Sequence, residues 1–386
     1  MKIIPSYLDR YPAKMVTTLA DKIIDNYVDN KSLVLDPFCG SSAILKAAKN
    51  KNCSLYGFDI NPYAILLSQV KLMGFDKEKA KLFVEKIIMK SKDQNDKLPT
   101  SYDNIEYWFT KSTLDKLLKL RYNLKISKTD SPEGRAVLLA FALTIRLVSR
   151  ADQRSPKPFI SKKSIDMRKG KHFDPFLIII DILQKLSNLY GDTEYSKIEL
   201  KCLDSTSNKK IKIKEKSLTH IITSPPYINA QDYFRNSKLE LFLLEDILPF
   251  SIKTIQHSFI GTERGELKID GVSEFRNINR VASIVGENNL RLEKVVLKYF
   301  SDINKVLDNT YSLLKTNGKL ILVCGDNVVA GKNIKTWQII NQMAESKGYE
   351  IIDSFKDKIL NRSLAPNRMG HKSLIKDEKV TVFKKI

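Results

Sequence analysis

Residues 32–60 read SLVLDPFCGSSAILKAAKNKNCSLYGFDI, and the order of features in this stretch decides the fold. SLVLDPF is a short apolar, β-branched run, which fits a buried strand ending near Asp36. SSAILKAAKN reads as a helix whose first-turn serines can cap exposed amides. SLYGFDI is a second strand ending near Asp59, and NPYAILLSQVKLMG a second helix. Strand, turn, helix, strand is the opening of a doubly wound α/β sheet, in which ligands bind beyond the carboxyl ends of the strands.

Working outward, apolar residues at Met15, Leu19 and Ile23 carry helical spacing through Pro12 to Tyr27. From Asp76 to about Tyr190 the strand signal vanishes and helical periodicity takes over, with a long apolar helix near Arg135 to Val148. Strand patterns return in SKIELKCLD, LTHIITSPPY, GKLILVCGD, YEIIDSF and EKVTVFKK, between helix-like segments near 233–244, 292–314 and 334–347. The expected architecture is therefore a mixed sheet of about seven strands in a discontinuous domain, 1–75 and 196–386. A helical insertion occupies 76–195, and a second, polar insertion occupies 249–289.

The chain has 386 residues, long enough for one large domain or two ordinary ones, and 42% of them are hydrophobic, so a packed core is possible. No run approaches the roughly 20 apolar residues of a membrane span, and the basic start has no signal-peptide stretch, so a cytoplasmic protein is expected. Cys39, Cys53, Cys202 and Cys324 form no CxxC pair, which argues for reduced thiols and no structural metal. Lysine and arginine outnumber acids 65 to 44, a net charge of +21. A field of that sign fits a polyanion partner as well as a lysine-coated surface, so local sequence has to choose.

Two segments carry chemistry. DPFCGSS, Asp36 to Ser42, places an acid and a tight turn where a charged, nucleoside-bearing ligand can sit, and Asp59 stands where a carboxylate accepts both hydroxyls of a ribose. No Gly-Lys-Ser and no GxGxxG follows, which favours an unphosphorylated ligand. TSPPY, Thr223 to Tyr227, comes directly after the strand residues His220, Ile221 and Ile222. Its two prolines fix φ and withhold donors, so the turn is rigid and its carbonyls stay free to accept. An exocyclic amine there can donate to the Ser224 hydroxyl and the Pro225 carbonyl, while Tyr227 stacks on the ring that carries it.

DPFCGSS, GFDINPYA and TSPPYINAQDYF, in this order, resemble the DNA methyltransferases that methylate amino groups with S-adenosylmethionine. YPAKM at Tyr11 to Met15 is similar to the segment before their cofactor loop, and GKLILVCGD, RSLAPNR and EKVTVFKK are similar to their later strands and loops. The resemblance covers about two thirds of the chain and leaves both insertions unmatched. It implies a class I, Rossmann-like methyltransferase fold with S-adenosyl-L-methionine as cofactor. Asp36, Phe38, Gly40 and Ser41 then surround the methionine part, with Tyr11 and Lys14 nearby. Asp59 holds the ribose, Ile60 packs on adenine, Asp204 meets the adenine amine, and Thr223 adjoins the cofactor. The loop departs from the commoner GSG in having Ser42 as its last residue.

In that family a serine opening the SPPY tetrad usually accompanies methylation of cytosine N4, and Asn or Asp accompanies adenine N6. Ser224 thus points to cytosine N4, with Ser224, Pro225, Pro226 and Tyr227 as the catalytic turn. Cytosine C5 chemistry needs an attacking thiolate, and no Pro-Cys-Gln segment is present, so Cys39 reads as a small packing residue. Reaching the amine inside double-stranded DNA requires base flipping. The resemblance also implies a restriction-modification role with a cognate endonuclease acting on the same site. Adenine N6 methylation, an RNA amino-methyltransferase, and a DNA-binding specificity subunit with a vestigial fold stay open as alternatives.

RADQRSPKPFISKKSIDMRKGK, residues 150–171, sets eight basic residues against Asp152 and Asp166. Arg150, Arg154, Lys157, Lys162, Lys163 and Arg168 are the expected DNA contacts there, with Arg135 and Arg146 close in sequence and Gln153 and Ser155 suited to base edges. Arg235 is a further expected phosphate contact. GTERGE and SEFRNINR in the second insertion serve the same purpose equally well, so either insertion can be the target-recognition region.

Overall fold

The computed structural model describes residues 7–9, 11, 14–193, 195, 197–207, 212–228, 233–358 and 377–386. Among them nine strands form: β1 Leu33–Asp36, β2 Ser54–Asp59, β3 Ile198–Cys202, β4 Leu218–Thr223, β5 Leu314–Cys324, β6 Asn327–Val329, β7 Lys332–Ile334, β8 Tyr349–Lys358 and β9 Asp377–Lys385. Seven build one sheet in the order β3-β2-β1-β4-β5-β9-β8, and β6 with β7 makes a separate hairpin. β1 through β5 run parallel, whereas β9 is antiparallel to both β5 and β8. This is the mixed seven-stranded α/β sheet that the sequence patterns call for.

Strand order makes the sheet's switch point explicit. From β1 the chain steps outward to β2 and β3, then returns to the other side of β1 as β4. Crevices open beyond the carboxyl ends at such a reversal, because neighbouring connections leave in opposite directions. Asp36 ends β1 and Thr223 ends β4, so two of the singled-out residues flank it. The antiparallel direction of β9 brings its first residues, Asp377 and Glu378, to the same edge.

The chain divides into two compact units. The sheet unit comprises Ala13–Ile60, Lys197–Asp232 and Gln256–Ile386. Its core includes Leu35, Phe58, Leu218, Ile221, Leu320 and Phe383 from the sheet and Val296, Tyr299, Phe300 and Ile303 from the helix Leu290–Leu313. The insertion expected at 249–289 is not polar throughout: Val272, Ile278, Ala282 and Val285 are buried in this core, the last three on the amphipathic helix Arg276–Gly286.

The helical unit comprises Met1–Pro12, Asn61–Ser196 and Tyr233–Ile255. It takes in more chain than 76–195, because the helix Pro62–Met73 is buried on nearly every side and packs with the helix Pro132–Val148. Its helix starts follow local rules. Asn61, Ser131 and Asp174 each precede a proline and accept an amide of the first turn, from Tyr63 at 3.0 Å, Gly134 at 3.0 Å and Phe176 at 2.9 Å. Proline at the first helical position loses no hydrogen bond there. No helix among the described residues is long and apolar enough to cross a membrane.

Arg121 ties this unit together from inside, with its side chain fully buried. Its guanidinium donates to the carbonyls of Leu98 at 3.0 Å, Leu243 at 3.0 Å, Glu245 at 2.6 Å and Pro99, and to the Asp246 carboxylate at 2.9 Å. One cation thereby satisfies acceptors from two distant loops, which a neutral side chain cannot do. Arg121→Met strips several carbonyls of their donor and is expected to lower stability by about 1–3 kcal/mol, read as a shift of the urea unfolding midpoint. A loss below about 1 kcal/mol would show that these acceptors find other donors.

Candidate functional site

The turn after β1 is built around Asp36. Its carboxyl is buried, and Oδ1 accepts from the Phe38 amide at 3.0 Å and from the Thr223 hydroxyl at 2.6 Å. That second bond joins the end of β1 to the end of β4, and so fixes DPFCGSS against TSPPY. Burial pushes the Asp36 carboxyl up from 3.8 to about 7, against the two hydrogen bonds that lower it, with nearby Asp59 raising it further. A carboxyl so placed is matched to a cation, since an arriving positive charge restores the ionised form.

Asp59 ends β2, is buried, and accepts the Gly40 amide on Oδ2 at 2.9 Å. The Cys39 amide donates to the Phe58 carbonyl at 2.9 Å, so the loop after β1 is sewn to β2 at two successive residues. Gly40 takes φ +47° and Ser42 φ +61°, consecutive turns through the left-handed region that close a Cys39 carbonyl to Ser42 amide bond of 2.6 Å. Ser42 therefore sits at the N-cap of Ala43–Lys49 without a side-chain cap bond, contrary to the capping role expected of it. A Cβ disfavours that conformation by roughly 1–2 kcal/mol, a cost that a glycine at position 42 would avoid.

Cys39 is buried, and its thiol is held well above its ordinary pKa by burial first and then by Asp59 and Asp36. It stays a neutral thiol and packs. Ser41 is buried and Phe38 half-buried against the core. Ile60 is half-buried, and its carbonyl accepts from the Cys202 thiol at 3.4 Å. The loop after β3 docks on the same turn: the Ser205 hydroxyl donates to the Pro37 carbonyl at 2.6 Å, and Asn309 donates to the Ser205 carbonyl at 3.0 Å. Asp204, half-buried beside it, accepts from the Thr206 amide at 2.9 Å and hydroxyl at 2.7 Å. Lys14 is exposed in the sheet unit, whereas Tyr11 belongs to the helical unit.

Beyond β4, Ser224, Pro226 and Tyr227 are half-buried, and Pro225 and Ile228 are buried. The Tyr227 hydroxyl donates to Glu378 Oε1 at 2.7 Å, a contact across 151 residues that no local pattern announces. The motif RSLAPNR lies outside the described residues, as do Pro12 and Ala13 of YPAKM.

The expected DNA contacts divide by role. Arg168 donates to the Leu147 carbonyl at 2.7 Å and the Val148 carbonyl at 3.3 Å, and stacks on Phe173, so it closes the end of the helix Pro132–Val148. Arg154 grips Asp152 through its backbone and side chain, which holds that carboxyl well below its usual range. Arg146 is buried and donates to the Ser155 carbonyl at 2.8 Å, while Gln153 donates to the Arg146 carbonyl at 2.7 Å. These residues shape the loop. Arg150, Lys162, Lys163, Lys169 and Lys171 are exposed on it, and Lys157 is half-buried. Arg235 is exposed on the short helix Tyr233–Asn236.

Residues 4–70 match the model of a family described as DNA methylase. The chain is 21% identical over 409 residues to the type II methyltransferase M.MvaI of Kocuria varians, spanning 97% of this chain and 88% of that protein. It is 24% identical over 449 residues to the type II methyltransferase M.BsoBI of Geobacillus stearothermophilus, spanning 97% of this chain and 84% of that one. Among solved structures, an S-adenosylmethionine-dependent methyltransferase of Methanosarcina mazei overlaps with a TM-score of 0.35 at 10% identity, covering 98% of this chain and 99% of the other.

The buried Asp36 gives a pH signature. The unfolded chain releases this proton near 3.8, whereas the folded protein keeps it to about 7. The resulting stability is present in full below the lower value and is lost as pH rises through the upper one. The difference in unfolding free energy between wild type and Asp36→Asn should therefore change by on the order of 4 kcal/mol between pH 4 and pH 8, wild type losing ground as pH rises. A pH-independent difference would contradict the burial argument.

Proposed function

We propose that this chain, a relative of the DNA amino-methyltransferases of restriction-modification systems, transfers a methyl group from S-adenosyl-L-methionine to the N4 amine of a cytosine flipped out of duplex DNA. The observation that carries the reading is the Asp36–Thr223 hydrogen bond of 2.6 Å, which sets a cation-seeking carboxyl and a rigid amine-accepting turn side by side at the sheet's switch point. Two buried carboxylates and a left-handed glycine turn fit a cationic, unphosphorylated nucleoside, and no lysine or arginine stands in DPFCGSS to hold a phosphate. Asp36 with Phe38, Gly40 and Ser41 holds the methionine end, Asp59 the ribose, Ile60 and Asp204 the adenine.

When bound, the cofactor supplies an electrophilic methyl on a sulfonium that leaves as a neutral thioether. The chain supplies positioning. The Ser224 hydroxyl and the Pro225 carbonyl accept the two amine hydrogens, which draws the nitrogen toward tetrahedral geometry and frees its lone pair from the ring. Tyr227 replaces the stacking lost on extrusion. No general base is required, because the nitrogen is acidic only once it is methylated. Ser224 in place of Asn or Asp favours cytosine over adenine. The activity serves to protect host DNA from a cognate endonuclease of the same specificity.

The assay is direct. Protein and labelled S-adenosylmethionine are incubated with plasmid DNA and, in parallel, with total RNA, and each nucleic acid is digested to nucleosides. Label in N4-methylcytosine is expected; label in N6-methyladenine overturns the base assignment, and label in RNA alone overturns the DNA assignment. Ser224→Ala and Tyr227→Ala should lower turnover by about 10²-fold or more with little change in cofactor affinity, whereas Asp59→Ala should weaken cofactor binding. Equal loss of cofactor affinity in all three would contradict these roles.

The exposed lysines of 150–171, interleaved with exposed Phe159, Ile165 and Met167, form the face we assign to DNA. Replacing Lys162, Lys163 and Lys171 by Gln should reduce the slope of log affinity against log salt by about 2–3 while leaving cofactor binding intact. An unchanged slope removes this segment from the DNA interface.

A further inference from the structure

We infer that Glu378 is a positioning residue for the base pocket: it anchors the hydroxyl of Tyr227 so that the ring stands as a preset wall for the extruded base. The inference rests on the reading of Ser224 to Tyr227 as the amine-binding turn. Glu378 opens the segment EKVTVFKK, to which the sequence pattern assigns no role in the site, and stands at the second position of the last strand.

Three features of the sheet unit lead there. β9 runs antiparallel beside β5, with Cys324 opposite Lys379, so Glu378 emerges at the edge where β1, β2 and β4 end. The Tyr227 hydroxyl donates to its Oε1 at 2.7 Å, well within hydrogen-bond length for an O–H donor. The backbone of Tyr227 is held at its other end by Pro225 and Pro226, whose φ is fixed, and by Ile228, which is buried.

A tyrosine fixed at both the backbone and the hydroxyl has no ring motion left to lose when a base arrives. The advantage of such preorganisation is entropic, and it appears at the chemical step because the stacked base must present its amine in one orientation. Phenylalanine offers the same stacking face without the tether. If stacking alone mattered, Tyr227→Phe would be silent and Glu378 would be a bystander.

The test is a double-variant cycle on the full chain, with plasmid DNA and labelled S-adenosylmethionine as substrates. Tyr227→Phe and Glu378→Ala should each lower kcat about tenfold, with the cofactor dissociation constant unchanged, and the double variant should be no worse than either single one. Glu378→Gln, which keeps an acceptor oxygen, should restore activity to within about threefold of wild type. With 13C-labelled tyrosine and no ligand, the Tyr227 ring signal, identified by its absence in Tyr227→Phe, should shift in Glu378→Ala and shift less in Glu378→Gln. Losses that multiply to about a hundredfold in the double variant, or a Glu378→Ala protein with full kcat, would overturn the tether. So would a Glu378→Ala protein whose cofactor affinity falls as far as its kcat. Wild-type protein that labels no DNA overturns the reading beneath the inference, and the inference with it.

Discussion

The hydrogen bond from the Thr223 hydroxyl to the Asp36 carboxyl, 2.6 Å long and buried, is the joint on which the site depends. It links the ends of β1 and β4 where strand order reverses about β1. On one side of it the Asp36 turn is sewn to β2 through Cys39 and Gly40 and to the loop after β3 through Ser205. On the other side the paired prolines carry the chain rigidly to Tyr227. Because the bond lies in a low-dielectric setting, it is strong when made and costly when lost, which couples the geometry of the two loops.

The same burial sets the electrostatics. Burial disfavours the charged form of Asp36, and nearby Asp59 adds to that, so Asp36 rests near half-protonation at neutral pH. A cationic ligand relieves both costs at once. The basic surface acts separately: of the charge gathered at 150–171, half-buried Arg168 braces the loop and exposed Arg154 is paired with Asp152, leaving Arg150 and the exposed lysines as its outward face. The excess of +21 therefore overstates the charge available to a polyanion and understates how specifically some of it is placed.

Much of this was legible in the chain because it follows short-range rules. Alternation of apolar runs with DPFCGSS and TSPPY marks strand ends, and the helix that opens at Asn61-Pro62 and the apolar helix through Arg135 to Val148 show in the local pattern. What escaped depends on contacts far apart in sequence. Glu378 meets Tyr227 only because the last strand is antiparallel, a property of the whole sheet. Arg168 and Gln153 were expected to face DNA by composition, but carbonyls left over at a helix end took their donors. Ser42 has the chemistry of a cap, yet the left-handed turn decides where its side chain goes.

We propose that the buried Asp36 carboxyl at the β1–β4 joint receives a cation and thereby joins the loop after β1 and the turn after β4 into one site. Calorimetric titration of S-adenosylmethionine into the protein at pH 7, in two buffers of different ionisation enthalpy, measures the protons exchanged on binding. Release of on the order of half a proton per cofactor bound, from Asp36, is expected, with no release from the Asp36→Asn protein. Binding with no proton exchange in wild type, or with equal affinity in Asp36→Asn, would contradict it.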